Sequence, residues 1–129
     1  MKEVSIRNLS CPERREIRAR YCDSFLCRLR GLTFKRHLAA GTGLLLVQPK
    51  ESRLDASIHM FFMWIDLAVV WINSALQVVD VKTARRWKPV YLPQQPARYV
   101  LELPVENQSD FSVGDCLAFE ILDVSSNHT

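Results

Sequence analysis

At 129 residues, with 48% hydrophobic and 24% charged residues, the chain is long enough to bury a core without metal or disulfide staples and too apolar to remain disordered. Its net charge of +3 gives no general pull toward nucleic acid. The longest apolar run, residues 58–72, is interrupted by Asp66 and falls short of a membrane span, so no membrane segment is expected.

Charge is unevenly spread. Residues 1–40 carry ten Lys/Arg against four Asp/Glu, and the remainder seven against ten. A basic third suits an anionic partner, but such charges more often form a solvated face. The opening MKEVSIRNLSCPERR lacks the apolar stretch of a secretory signal, so a cytoplasmic protein is expected. Cys11, Cys22, Cys27 and Cys116 show no zinc-site spacing, and in that compartment they are expected to be reduced thiols. One domain covering residues 1–129 is the expectation, with a frayed tail at 123–129.

In chain order, Val4 and Ile6 alternate with Glu3, Ser5 and Arg7, the period of a half-buried strand. Residues 10–12 turn the chain. Ile17, Ala19 and Tyr21 then alternate with Arg18 and Arg20, completing a hairpin whose outer face holds Arg7, Arg18 and Arg20. Asp23 and Ser24 suit a helix start, and Phe25, Leu26 and Leu29 share one helical face. Gly31 falls where a left-handed residue closes that short helix, with Leu32 expected to fold back on Leu26. Arg28 and Arg30 suit its carboxyl end.

Residues 37–42 read as a loop, and Leu44 to Val47 as a buried strand stopped by Pro49. The lone Gly41-Thr42-Gly43 lacks the frame of a phosphate loop, which argues against nucleotide binding. Leu67 to Ile72 is apolar on both faces, as in the middle of a sheet or the wall of a small barrel. A bend at Asn73-Ser74 leads to a partner strand in which Gln77, Val79 and Val81 alternate with Leu76, Val78 and Asp80. Residues 84–96 hold three prolines, two aromatics and three cations and are expected to be irregular and extended. In the strand at 99–103, Tyr99, Leu101 and Leu103 share one face and Val100 the other with Glu102. Residues 104–111 form a loop or short helix, Gly114-Asp115 a turn, and Leu117, Phe119 and Ile121 the inward face of a closing strand.

The series Arg28-Leu29-Arg30-Gly31-Leu32, Gly43-Leu44-Leu45, Ile58-His59-Met60-Phe61-Phe62-Met63, Val69-Val70-Trp71-Ile72, Tyr99-Val100-Leu101-Glu102-Leu103 and Gly114-Asp115 resembles the uncharacterised ACR family, domain of unknown function 192. The likeness runs over about residues 16–121. It implies a mainly β, α+β fold, a compact antiparallel barrel or sandwich-like domain with one or two short helices, and no known reaction. The family's commoner pattern places a proline and then an aspartate after the methionine. Here those positions hold Asp66 and Ala68, which weakens any enzymatic assignment.

The expected function is binding or accessory, toward a small molecule or a protein, without cofactor or metal. Candidate ligand-contacting residues are His59, Met63, Asp66, Trp87, Tyr91, Glu102, Arg28 and Arg30. Trp87 between Arg86 and Lys88 offers a stacking plane with cations beside it, or else caps the end of the fold. Glu102, a carboxylate beside apolar residues, needs a partner or a raised pKa, and Arg28 or Arg30 is the expected partner. His59, read as a core histidine, supplies with Met60, Met63 and Cys116 the donor types of a copper(I) site, but no diagnostic spacing. Ser57, His59 and Asp66 or Glu102 supply the types for hydrolysis of a small polar or anionic substrate, without a motif that frames them. Nucleic-acid binding through the basic hairpin with Trp87 and Tyr91 is the remaining and less favoured alternative.

Overall fold

A computed structural model of the chain describes residues 2–32, 38–60, 63–88 and 90–123. His37, the Phe61-Phe62 pair, Pro89, the tail at 124–129 and the side chains of Phe25, Leu29 and Arg30 lie outside what is described.

The alternating runs at the start of the chain pair as expected: β1 (Lys2–Asn8) and β2 (Ile17–Cys22) form an antiparallel hairpin with Glu3 opposite Arg20 and Ile6 opposite Ile17. Arg7, Arg18 and Arg20 are exposed, and Arg18 reaches Glu3 at 3.3 Å. The helix α1 (Phe25–Arg30) follows. Ser24 Oγ accepts the Cys27 N–H, and Gly31, at φ 53°, donates its N–H to the Cys27 carbonyl. A left-handed residue at this point costs glycine nothing.

Leu32 is buried, but Leu26 is 74% exposed, so Leu26 does not join the core that Leu32 enters. β3 (Thr42–Ser52) runs through Pro49 instead of ending before it. The register against its partner shifts between Val47 and Ser52, and such an irregularity frees the proline from supplying a ladder N–H.

β4 (Leu67–Ile72) is buried along its whole length, because β5 (Val78–Ala84) and β6 (Ala97–Pro104) flank it on both sides. The bend between β4 and β5 is fastened by Asn73, whose side-chain oxygen accepts the N–H groups of Ala75 and Gln77. A 3-10 helix (Val105–Asp110) leads on to β7 (Leu117–Asp123), which pairs with β1.

The sheet order is β5-β4-β6-β3-β2-β1-β7. Every pairing is antiparallel except β2 with β3. Its ends approach through the isolated bridge between Gln77 and Cys116, but the sheet is not closed. Of the two expected arrangements, the sandwich-like one is found. Leu117 is buried, Phe119 packs edge-on against Tyr99, and Ile121 is half exposed, so the inward face of the last strand is shorter than its sequence suggested.

Strand alternation splits the core into two apolar layers. One gathers Val4, Ile6, Leu45, Val70, Leu101, Leu103 and their neighbours. The other gathers Cys22, Leu44, Met60, Met63, Val69, Trp71 and Val100. The second layer lies beneath the segments that carry most of the candidate residues.

Cys22 and Cys27 form a disulfide with Cα atoms 5.7 Å apart, a spacing that suits such a bond. This corrects the expectation of four reduced thiols. The end of β2 and the first turn of α1 bring together two cysteines whose sequence spacing resembles no motif.

Candidate functional site

The described residues of 56–66 and 84–92, namely 56–60, 63–66, 84–88 and 90–92, form one cap over the second layer. Ile58 and Tyr91 exchange backbone hydrogen bonds at 3.0 and 2.9 Å, and Met60 accepts the Trp87 N–H at 2.8 Å. From below, Trp71 Nε1 donates to the Ala56 carbonyl at 2.7 Å. A second attachment comes from β5. Asp80, buried and 3.4 Å from Lys82 Nζ, accepts the Gln94 N–H, while Lys82 donates to the Leu92 carbonyl.

Alternation along the first segment buries Ile58 and Met60 and turns His59 outward. His59 is therefore a surface residue, not the expected core histidine. Met63 is buried in the second layer. Cys116 sits at the Asn73 end of the β4–β5 hairpin, whereas the cap lies at the other, so no copper(I) set assembles from His59, Met60, Met63 and Cys116.

Asp66 Oδ1 accepts the Arg86 N–H at 2.7 Å. That bond, and the one from Trp87 to Met60, hold a turn in which Trp87 takes φ 67°, a conformation a bulky residue rarely adopts. Trp87 and Trp64 meet edge to face with centroids 6.1 Å apart, and both are more than 40% exposed. Tyr91 Oη accepts the Arg85 N–H, and Lys88 Nζ lies 4.8 Å from the Tyr91 ring centroid. His59, Asp66, Trp87 and Tyr91 thus belong to one surface, together with Trp64, Arg85, Arg86 and Lys88. Trp64 was missed in the sequence because it sits inside an apolar run, where an aromatic reads as core.

Glu102 belongs to the buried layer, opposite Leu44 on β3 and Val69 on β4. Its Oε1 has no hydrogen-bond partner among the described residues, and burial raises the carboxyl from the ordinary carboxylate range to about 7. The expected partnership with Arg28 is not formed: that guanidinium donates to the carbonyls of Asp23 and Val47. The Arg30 side chain is outside the described residues. Gly31 lies close to this oxygen, since a Cβ built on it would fall 3.6 Å from Oε1.

The sequence also gave no sign of an open groove of about 560 Å³ between β5 and the 3-10 helix, lined by Val81, Val105, Glu106, Gln108, Ser109 and Phe111. It contains none of the candidate residues. Among the described residues no three His, Cys, Asp or Glu side chains gather as a metal set, and no helix is long and apolar enough to cross a membrane.

The model of the uncharacterised ACR family, domain of unknown function 192, matches residues 8–119. The chain belongs to this family. A UPF0127 protein of Thermococcus gammatolerans is 44% identical over 103 residues, covering 78% of this chain and 65% of the relative. UPF0127 protein TK1120 of Thermococcus kodakarensis is 43% identical over 88 residues, covering 68% and 54%. The chain therefore spans less than two thirds of the length of these two relatives.

The chain is similar in fold to two solved structures of low identity. A crystal structure of a candidate transcription regulator from Sinorhizobium meliloti 1021 superposes with a TM-score of 0.79 at 20% identity, covering 92% of both chains. A protein of unknown function from Novosphingobium aromaticivorans superposes with a TM-score of 0.75 at 18% identity, covering 90% of this chain and 83% of that one. At such identities the likeness speaks for the fold alone. The family carries no established reaction to set against the geometry of the cap.

Proposed function

We propose that this chain is a binding module, not a catalyst, and that it takes a small planar anion against the cap formed by residues 56–66 and 84–92. The observation that carries this reading is the exposed edge-to-face pair of Trp64 and Trp87. Two neighbouring indoles left in water are costly unless something covers them. A strained turn that holds one of them outward is the kind of feature that persists at ligand sites. Arg85, Arg86 and Lys88 are exposed around the pair and favour an anionic ligand, while the indole planes favour a flat one.

His59 and Tyr91 border the same surface, and Asp66 fixes its turn. Met63 and Glu102 support it from the buried layer and do not touch ligand directly. A protein presenting a flat acidic group satisfies the same chemistry.

A cytoplasmic location is part of this proposal.

The test is a titration of isotopically labelled protein with nucleoside monophosphates and aromatic carboxylates, following the indole N–H signals. Saturable shifts at Trp64 and Trp87, lost in Trp64→Ala and weakened in Lys88→Ala, are expected. Shifts only with single-stranded oligonucleotides, falling steeply as salt rises, would move the assignment to nucleic acid. No saturable shift with any of these probes would defeat the reading.

A further inference from the structure

Three features of this end of the molecule are linked through α1. Its Cys27 is bonded to Cys22 on β2. Its closing residue, Gly31, donates to the Cys27 carbonyl at 2.9 Å. The position a Cβ would take on Gly31 lies 3.6 Å from Glu102 Oε1, a buried oxygen that lacks a hydrogen-bond partner among the described residues. We infer that the Cys22–Cys27 disulfide is a redox latch that holds α1 down over Glu102, and that reducing the bond opens this carboxyl to water.

Among the described side chains, few other contacts fasten the helix. At six residues it is far below the length at which a helix persists alone. Leu26 faces solvent at 74% exposure, so part of its surface contributes nothing to packing. Its other described attachments are the Ser24 cap and the Arg28 hydrogen bonds to the Asp23 and Val47 carbonyls. Only the second of the Arg28 bonds ties it to the sheet. Besides the chain itself at Asp23-Ser24, the disulfide is the covalent tie between α1 and β2, and among the described contacts it acts beside the Arg28 bond to Val47 in keeping α1 and Gly31 against Glu102.

The orphan oxygen gives the latch something to control. An unpaired buried carboxyl resists closure of the layer above it, so the native state stores a tendency to open at this point. No cation among the described residues relieves it. Lys82, across Val69 on β5, is engaged with Asp80, the Leu92 carbonyl and the Trp71 ring. Arg20, across Leu44 on β2, is exposed, and Arg28 on α1 is taken up by the two carbonyls.

The chemistry balances as ordinary thiol–disulfide exchange with a dithiol reductant. Cys22 is buried and Cys27 half-buried, so the reductant thiolate attacks Cys27 Sγ. The bond between Cys27 Sγ and Cys22 Sγ breaks, and Cys22 leaves as a thiolate that takes up a proton. The second reductant thiolate then attacks the mixed disulfide, Cys27 leaves and is protonated, and the reductant becomes a disulfide after giving up two electrons.

The test uses the whole chain with Cys11→Ser and Cys116→Ser, to remove the half-buried and exposed free thiols. Thiol counting under denaturing conditions is expected to find none before dithiothreitol and two after. The side-chain carboxyl carbon of Glu102, followed by NMR, is expected to titrate near 7 when oxidised and more than one pH unit lower when reduced. Amide exchange at residues 25–31 is expected to accelerate at least tenfold on reduction while β4 and β6 stay protected. Cys22→Ser with Cys27→Ser should reproduce the reduced form, and should that variant fail to fold, the reduced parent alone decides.

Free thiols in the air-oxidised protein would overturn the inference. So would an unchanged Glu102 titration, or loss of protection across the whole sheet, which would make the bond a general staple. The inference does not depend on the ligand reading of the cap, because none of these measurements uses a ligand.

Discussion

Asp66 Oδ1 lies 2.7 Å from the backbone nitrogen of Arg86, twenty residues along the chain, and that bond fixes the turn on which Trp87 is presented. Removing a carboxylate acceptor from a partly exposed backbone donor costs about 1 kcal/mol. Asp66→Ala is expected to lose roughly that much in urea unfolding and to speed amide exchange at Arg86 and Trp87, whereas Asp66→Asn keeps the acceptor and most of the protection. Equal behaviour of the two variants would show that the carboxylate does not hold the turn.

Glu102 makes stability depend on pH in an unusual direction. Its native carboxyl titrates at about 7, raised by burial, whereas in the unfolded chain it titrates near 4.3. Between these values the unfolded chain has lost the proton and the native one has kept it, so this group lowers stability as pH rises through that window. The penalty is absent below about pH 4 and complete above about pH 7, where it reaches on the order of 3 kcal/mol. Glu102→Gln is expected to match the parent near pH 4 and to exceed it by up to that amount at pH 8, as measured by urea unfolding at both values.

Trp71 is fully buried, and its indole donates to the Ala56 carbonyl. Trp71→Phe leaves that carbonyl unpaired and opens space beside it, at a combined cost of about 2–4 kcal/mol. Thermal unfolding should report the loss, and the indole signals of Trp64 and Trp87 should shift because residue 56 begins the cap.

Gly43 owes its identity to the partner strand. A Cβ there would fall 2.3 Å from the Glu102 carbonyl oxygen and 2.7 Å from a Leu103 methyl. Because the nearest obstacle is backbone, no rotamer change relieves it, and Gly43→Ala is expected to cost about 3 kcal/mol or more. A melting temperature within a degree or two of the parent would contradict the close approach of β3 to β6.

Periodicity made much of this fold legible. Val4 and Ile6, the unbroken apolar run of β4, and the opposition of Val100 and Glu102 to Leu101 each follow from the two-residue repeat of a strand, and the structure keeps all three. Partners set by distant segments left no local trace. Nothing around Pro49 announces that β3 continues past it, because the irregularity that tolerates the proline depends on β6. Cys22 and Cys27 look unrelated until the turn after β2 folds back. Charge and co-occurrence in the family pattern point to Arg28 or Arg30 as the partner of Glu102, yet Arg28 is satisfied by the carbonyls of Asp23 and Val47. The cap was legible as residue types, but its assembly depends on backbone bonds between residues 58–60 and 87–91 that no side chain encodes.

The pairing of β1 with β7 sets Lys2 opposite Asp123, so the chain enters and leaves the sheet at one corner. Residues 2 and 123 are therefore neighbours across the β1–β7 ladder. A short linker joining the two would tie off the corner without disturbing a strand, leaving the Asn73–Gln77 bend as a place to cut new termini for a circularly permuted version.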